Sequence, residues 1–175
     1  ELGLTALTVP EAHDGMGQGA IEAMVVAEEL GRGIVLEPIA QSFIASAVLS
    51  HYAPAEMQSA WLPRVASGEA VVVLAHQERK ARYRLDVCEA KAAPAQSGYA
   101  VTAIKSVVPA GDKADAFIVP AQLDGKIALF LVERTASGVT TQGYVTQDGS
   151  RAAEVHLVNA PATLITTDGL AALEL

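Results

Sequence analysis

Apolar side chains recur at helical spacing up to about residue 67 and at alternating spacing after Gly68. Ile21, Met24 and Val25, continued by Ala27 and Leu30, predict an amphipathic helix over Ala20 to Gly31, stopped by Gly31 and Gly33. A second helix is expected from Pro38, carrying Ile39, Phe43, Ile44, Ala47 and Val48. A third opens at Pro54-Ala55-Glu56 and carries Met57, Trp61, Leu62 and Val65, with Pro63 expected to kink or shorten it. In all three the stripes are expected to be core. Runs rich in β-branched residues then follow at Ala70 to His76, Leu85 to Ala92, Tyr99 to Val108, Ala114 to Ala121, Lys126 to Glu133, Val139 to Thr146 and Arg151 to Val158. They are parted by turn signals such as Asp124-Gly125, Ser137-Gly138 and Asp148-Gly149. Strands without intervening helices imply an α+β chain: N-terminal helices followed by an antiparallel β-barrel or sandwich. Thr167 to Leu175 then turns back toward helix.

Composition narrows the class. The chain of 175 residues, 51% hydrophobic and 18% charged, suits one domain with or without an appended helical part, able to bury roughly 70% of its unfolded surface. Its apolar runs fall short of the ~20 residues that cross a bilayer, so no membrane span is expected. Twelve basic against twenty acidic residues leave a net charge of -8, which argues against nucleic acid as a partner. The lone Cys88 cannot form an internal disulfide, is expected to be a small buried side chain, and suits a reducing, cytoplasmic setting. Glu1 is not an initiator Met, and the last helical pattern is shorter than the ~12 residues an isolated helix needs. The chain therefore reads as a fragment cut at both ends.

Candidate chemistry gathers between Val71 and Asp115, where two strands break into polar segments that could rim a ligand. No phosphate loop, paired-His zinc spacing or Gly-x-Ser-x-Gly elbow is present. His76 stands where an apolar strand meets a polar loop and could hydrogen-bond a ligand, whereas His156 lies mid-strand and reads as structural. Arg79, Lys80, Arg82 and Arg84 form a basic run in an acidic chain, suited either to a ligand's phosphates or to solvent. Glu78 and Asp86 are expected to pair with the neighbouring arginines. These residues alone name no reaction.

The order of motifs resembles the acyl-CoA dehydrogenase family. Val9-Pro10-Glu11 with the turn Asp14-Gly15-Met16-Gly17, Glu28-Glu29-Leu30-Gly31-Arg32, Trp61-Leu62-Pro63, Ser67-Gly68-Glu69, Gly98-Tyr99 with Lys105, Ala114-Asp115 and Gly149-Ser150-Arg151 are similar to that family's motifs, in its order. The resemblance implies residues 1–67 as the end of an N-terminal helical domain, 68–162 as a middle β-domain and 163–175 as the start of a C-terminal helical domain. It also implies an FAD enzyme that oxidises an acyl-CoA between its α and β carbons, works as a homo- or hetero-oligomer and passes electrons to electron-transfer flavoprotein. The catalytic base would lie beyond Leu175, so no residue of this chain is expected to be catalytic. Laid over the family's flavin segments, Leu74, His76 and Gln77 take one and Val107, Val108 and Pro109 the other, with Arg82 and Tyr83 toward the acyl-CoA. Gln77 replaces a Thr, Val107 a Trp, and Tyr83 a Ser, while Pro109 removes both a hydroxyl and an amide donor. The loops at Glu78 to Tyr83 and Gly143 to Gly149 look most like pimeloyl-CoA dehydrogenase small-subunit-like members, where a basic loop would suit a distal carboxylate or the CoA phosphates. The alternative implied by the replaced side chains is a noncatalytic partner subunit.

Overall fold

The computed structural model describes residues 3–175. Two short 3-10 turns, Leu4–Ala6 and Glu11–His13, precede three helices: α1 (Ala20–Arg32), α2 (Ile39–Tyr52) and α3 (Ala55–Ala66). Seven strands follow: β1 (Val72–Leu74), β2 (Lys91–Pro94), β3 (Tyr99–Pro109), β4 (Ala116–Leu123), β5 (Lys126–Glu133), β6 (Val139–Val145) and β7 (Arg151–Thr166). A short α4 (Gly169–Leu173) closes the chain. No helix among the described residues is long and apolar enough to cross a membrane.

The strands β4, β2, β3, β7 and β5 pair in that order, and β5 pairs back onto β4, so the sheet closes into a barrel. Strand β1 adds to β4, and β6 to β7. Most pairs are antiparallel, but β1 and β2 both run parallel to β4, which the expectation of a purely antiparallel sheet did not include. Both lie along one edge of β4: Val72 to Leu74 match Ala116 to Ile118, and Lys91 matches Gln122. The segment 75–90 is therefore an excursion between two pieces of one strand line. The strand expected over Leu85 to Ala92 is accordingly reduced to Lys91–Pro94.

Closure also explains the long last strand. β7 was expected to end at Val158; instead it bends at Asn159, whose φ is 49° and whose amide is accepted by the Thr102 hydroxyl at 3.1 Å. It then continues to Thr166 and pairs with β5. Such an irregularity lets one strand serve two stretches of a curved sheet.

Two cores share β4 and β5. Phe117, Val119, Ala121, Phe130 and Val132 fill the barrel, while Ile118, Leu129 and Leu131 face the other way onto Leu49, Trp61, Leu62 and Val65 of the helices. Burial on both faces is why β4 reads as a continuous apolar run. In α3 the predicted stripe is the buried one, and the helix runs through Pro63 without being shortened. In α2 the buried line is Ala45, Val48 and Leu49, with Ile44 exposed. Helix α1 departs from expectation: it has no buried residue, and Ile21, Met24 and Val25 face outward. Its own stabilisation is local, with Glu22 accepting from the Gly19 amide at 3.0 Å and Arg32 pairing with Glu28 and Glu29 at 2.6 and 2.7 Å.

Candidate functional site

The excursion between β1 and β2 is built around Glu78. Its carbonyl accepts the amides of Ala81 and Arg82, and the tight turn places Arg82 at a φ of 53°. Its side chain turns inward, where one carboxylate oxygen meets Lys105 Nζ at 2.6 Å and the two together accept from the amides of Glu89 and Ala90. Lys105 is fully buried and also donates to the carbonyl of Pro120 at 2.8 Å. The reason lies in the sheet. Ile118 and Gln122 pair toward β1 and β2, so Pro120, at the same alternation, points its backbone into the gap between them. A proline fits there because no ladder donor is needed, and the lysine satisfies the carbonyl that the gap would orphan. Glu78 was expected to pair with neighbouring arginines; its partner is instead a lysine 27 positions away. Asp86 does pair locally, with Arg84 at 2.5 Å.

This cluster sets the local ionisation. Burial raises the Glu78 carboxyl, but the hydrogen bond and charge of Lys105 and the two amides outweigh it and hold Glu78 below its ordinary value. Cys88 is half-buried beside the same pair, with Sγ 3.5 Å from Glu78 and 3.4 Å from the Pro120 carbonyl. Desolvation pushes its thiol up to about 11, a protonated and unreactive state at neutral pH. His76 is exposed as a residue, yet desolvation, followed by the charge of Lys105, lowers its pKa.

Outside the cluster lies a pocket of about 370 Å³ lined by Gln77, Arg79, Arg82, Tyr83, Ser106, Val107 and Glu154 among others. It brings together four of the eight residues singled out from sequence: Gln77, Val107, Arg82 and Tyr83. The Gln77 side-chain amide makes no hydrogen bond among the described residues, and Val107 is 44% exposed, so a polar reader and an apolar surface stand side by side. Leu74 and His76 instead line a separate apolar groove of about 860 Å³ between α2, the turn before α1, Leu85 and α4. Val108 turns into the barrel core, and Pro109 is exposed at the end of β3.

Of the basic run, Lys80 pairs with Glu89 at 2.7 Å and Arg84 with Asp86, each pair raising its cation's pKa. Arg79 lies 3.8 Å from Glu154. Arg82 has no ion pair among the described residues, and Tyr83 is 97% exposed. Sequence reasoning did not find Ser106, Glu154 or the buried role of Lys105. The available signal was a charged residue inside an otherwise apolar alternation, Lys105 in β3 and Glu154 between Ala153 and Val155 in β7. No group of His, Cys, Asp and Glu among the described residues could hold a metal ion.

Residues 1–69 match the family model described as the acyl-CoA dehydrogenase N-terminal domain. The chain is 29% identical over 147 residues to acyl-CoA dehydrogenase FadE27 of Mycobacterium tuberculosis, covering 83% of this chain and 38% of that protein. Among solved structures it is similar to a Tcur3481-Tcur3483 steroid ACAD variant, with a TM-score of 0.88, 27% identity, and coverage of 98% of this chain and 47% of that one. It is also similar to the ChsE4-ChsE5 complex from Mycobacterium tuberculosis, with a TM-score of 0.85, 26% identity, and coverage of 98% and 47%. The chain thus spans less than half the length of these relatives. Helices leading into a closed barrel, the ordered motifs and these likenesses agree: residues 1–69 match the N-terminal domain of the acyl-CoA dehydrogenases, and the chain as a whole is similar to members of that family.

Proposed function

We propose that this chain supplies the middle β-domain, with its flanking helices, of an FAD-dependent enzyme that desaturates an acyl-CoA thioester between the α and β carbons. Residues 1–67, 68–162 and 163–175 are then pieces of three successive domains. The observation that carries the reading is the joining of Gln77 and Val107 in one pocket by the family's fold. These residues fit a flavin ring: Val107 offers an apolar face, and the Gln77 amide offers a donor and an acceptor for a polar edge. In this reading Leu74, His76, Val108 and Pro109 contribute to flavin through backbone groups only, since the side chains of Leu74 and His76 line the separate groove and that of Val108 turns into the barrel core. Bound FAD supplies the two-electron acceptor for the desaturation.

Arg82 and Tyr83, exposed at the pocket mouth, face the acyl-CoA in this reading, where Arg82 would meet a phosphate or a distal carboxylate. That is the chemistry expected of pimeloyl-CoA dehydrogenase small-subunit-like members. Electron-transfer flavoprotein is the proposed acceptor, and the cytoplasm the proposed compartment, supported by a thiol that has no disulfide partner.

The full-length protein is expected to hold FAD and to lose flavin absorbance when given acyl-CoA. Gln77→Ala should weaken FAD binding about tenfold, the worth of one hydrogen bond of ~1.4 kcal/mol. Failure to bind added FAD would overturn the reading. A second reading, a noncatalytic partner in a hetero-oligomer, is favoured by Gln77, Val107 and Pro109 standing where the family resemblance places Thr, Trp and a hydroxyl-bearing residue. Both solved structures named above carry two protein names, Tcur3481-Tcur3483 and the ChsE4-ChsE5 complex. FAD binding without acyl-CoA-dependent bleaching would select it.

A further inference from the structure

Strand β3 carries a bulge at the pocket. Lys105 pairs with Val155 and Val108 with Ala153, so Ser106 and Val107 together oppose the single residue Glu154 of β7. Val107 sits at a φ of 51°, in the left-handed region that a β-branched side chain enters only when its surroundings impose it. Glu154 is the group placed to impose it. One oxygen of its carboxylate accepts from the Val107 amide at 3.3 Å, the other from the Ser106 hydroxyl at 2.9 Å. The carboxylate is itself held by the Tyr144 hydroxyl at 3.4 Å and by Arg79 at 3.8 Å, and its side chain is only 17% exposed. From the other side, the Ser106 amide donates to the Gln77 carbonyl at 2.9 Å, so the bulge also ties the two halves of the pocket together.

We infer that Glu154 is a positioning residue: it clamps the Ser106–Val107 bulge and so sets the apolar surface that Val107 presents beside Gln77. The inference rests on the FAD reading for its ligand, while the clamp itself concerns only this chain's residues. Removing the carboxylate frees the Val107 amide and lets the bulge relax out of the left-handed region. Glutamine keeps one acceptor for that amide and should largely substitute for it.

The test is a double-mutant cycle in the full-length protein with FAD affinity as readout, using Val107→Asn because asparagine tolerates the left-handed region at similar size. Glu154→Ala should weaken FAD binding at least tenfold, and Glu154→Gln by less than threefold. With Val107→Asn already present, Glu154→Ala should cost less than threefold, since the bulge no longer needs its clamp. Hydrogen exchange without FAD should show the 105–108 segment less protected in Glu154→Ala than in the wild type. Equal FAD affinity in folded Glu154→Ala, an equal loss in both Val107 backgrounds, or unchanged exchange would overturn the inference. A wild type that binds no FAD would overturn the function proposed above, while the exchange measurement still decides the clamp.

Discussion

Lys105 shows how one residue can settle both a fold detail and an ionisation state. Its ammonium is fully buried between the Glu78 carboxylate and the Pro120 carbonyl, and removing one partner of such a pair leaves the other charge stranded in the interior. Lys105→Met is expected to lower the unfolding free energy by about 3–5 kcal/mol at neutral pH, measured by urea denaturation. The pH dependence has a definite sign. Glu78 titrates below its ordinary 4.5 in the folded chain, so its stabilising contribution is present above that pH and is lost as pH falls below it. In Lys105→Met the stranded carboxylate gains from protonation, so the gap between the two proteins should narrow as pH falls below 4.5. A gap that stays constant or widens would show that the pair does not carry the difference.

At the scale of elements, the barrel depends on places where strands pass close to turns. Gly138, in the turn before β6, has a φ of 77°, and a Cβ there would lie 2.2 Å from the backbone carbonyl oxygen of Val158. Two penalties therefore coincide: ~1 kcal/mol or more for a side chain in the left-handed region and a backbone shift in β7. Gly138→Ala is expected to destabilise by about 2–3 kcal/mol, whereas Gly125→Ala, at a φ of 80° but with nothing near its Cβ, should cost only the first penalty. Thermal melts of the two variants make the comparison, and equal losses would show that the contact with Val158 is relieved cheaply. The strand pattern of β3 to β6 was legible because alternation and turn residues act locally. The shortened β2 and the extended β7 were not, because their limits are set by which neighbour each strand finds when the barrel closes.

At the scale of the whole molecule, the helices pack on the outer face of β4 and β5, whose inner face fills the barrel, so these two strands join the two cores. Trp61 and Leu62 pack in the same cluster as Ile118 and Leu129, and burying a side chain of this kind contributes roughly 1.5–3 kcal/mol. Two structures that share such a cluster should unfold together. Trp61 fluorescence, which reports on α3, and far-UV circular dichroism, which is dominated by all the elements, are expected to give coincident urea transitions. An earlier fluorescence transition would mean that the helices detach while the barrel persists. Helix α1 stands apart from this core, and its Ile21, Met24 and Val25 show that helical periodicity identifies an apolar face without identifying what lies against it.

The amino-acid sequence by itself determined the succession of helices and strands, the acidic character of the chain, and, through ordered motifs, its resemblance to the acyl-CoA dehydrogenases. These follow from short-range preferences and from residues at fixed spacing. Only the tertiary structure decided that Gln77, Val107, Arg82 and Tyr83 share a pocket while Leu74 and His76 line another groove, and that Glu78 finds Lys105 rather than an arginine nearby. It also decided that Glu154, far along the chain, faces the Val107 bulge. The physical reason is common to all three. Barrel closure sets β3 between β2 and β7 and leaves a gap between β1 and β2, and the partners available to a buried charge or a strained amide are those that closure brings within reach.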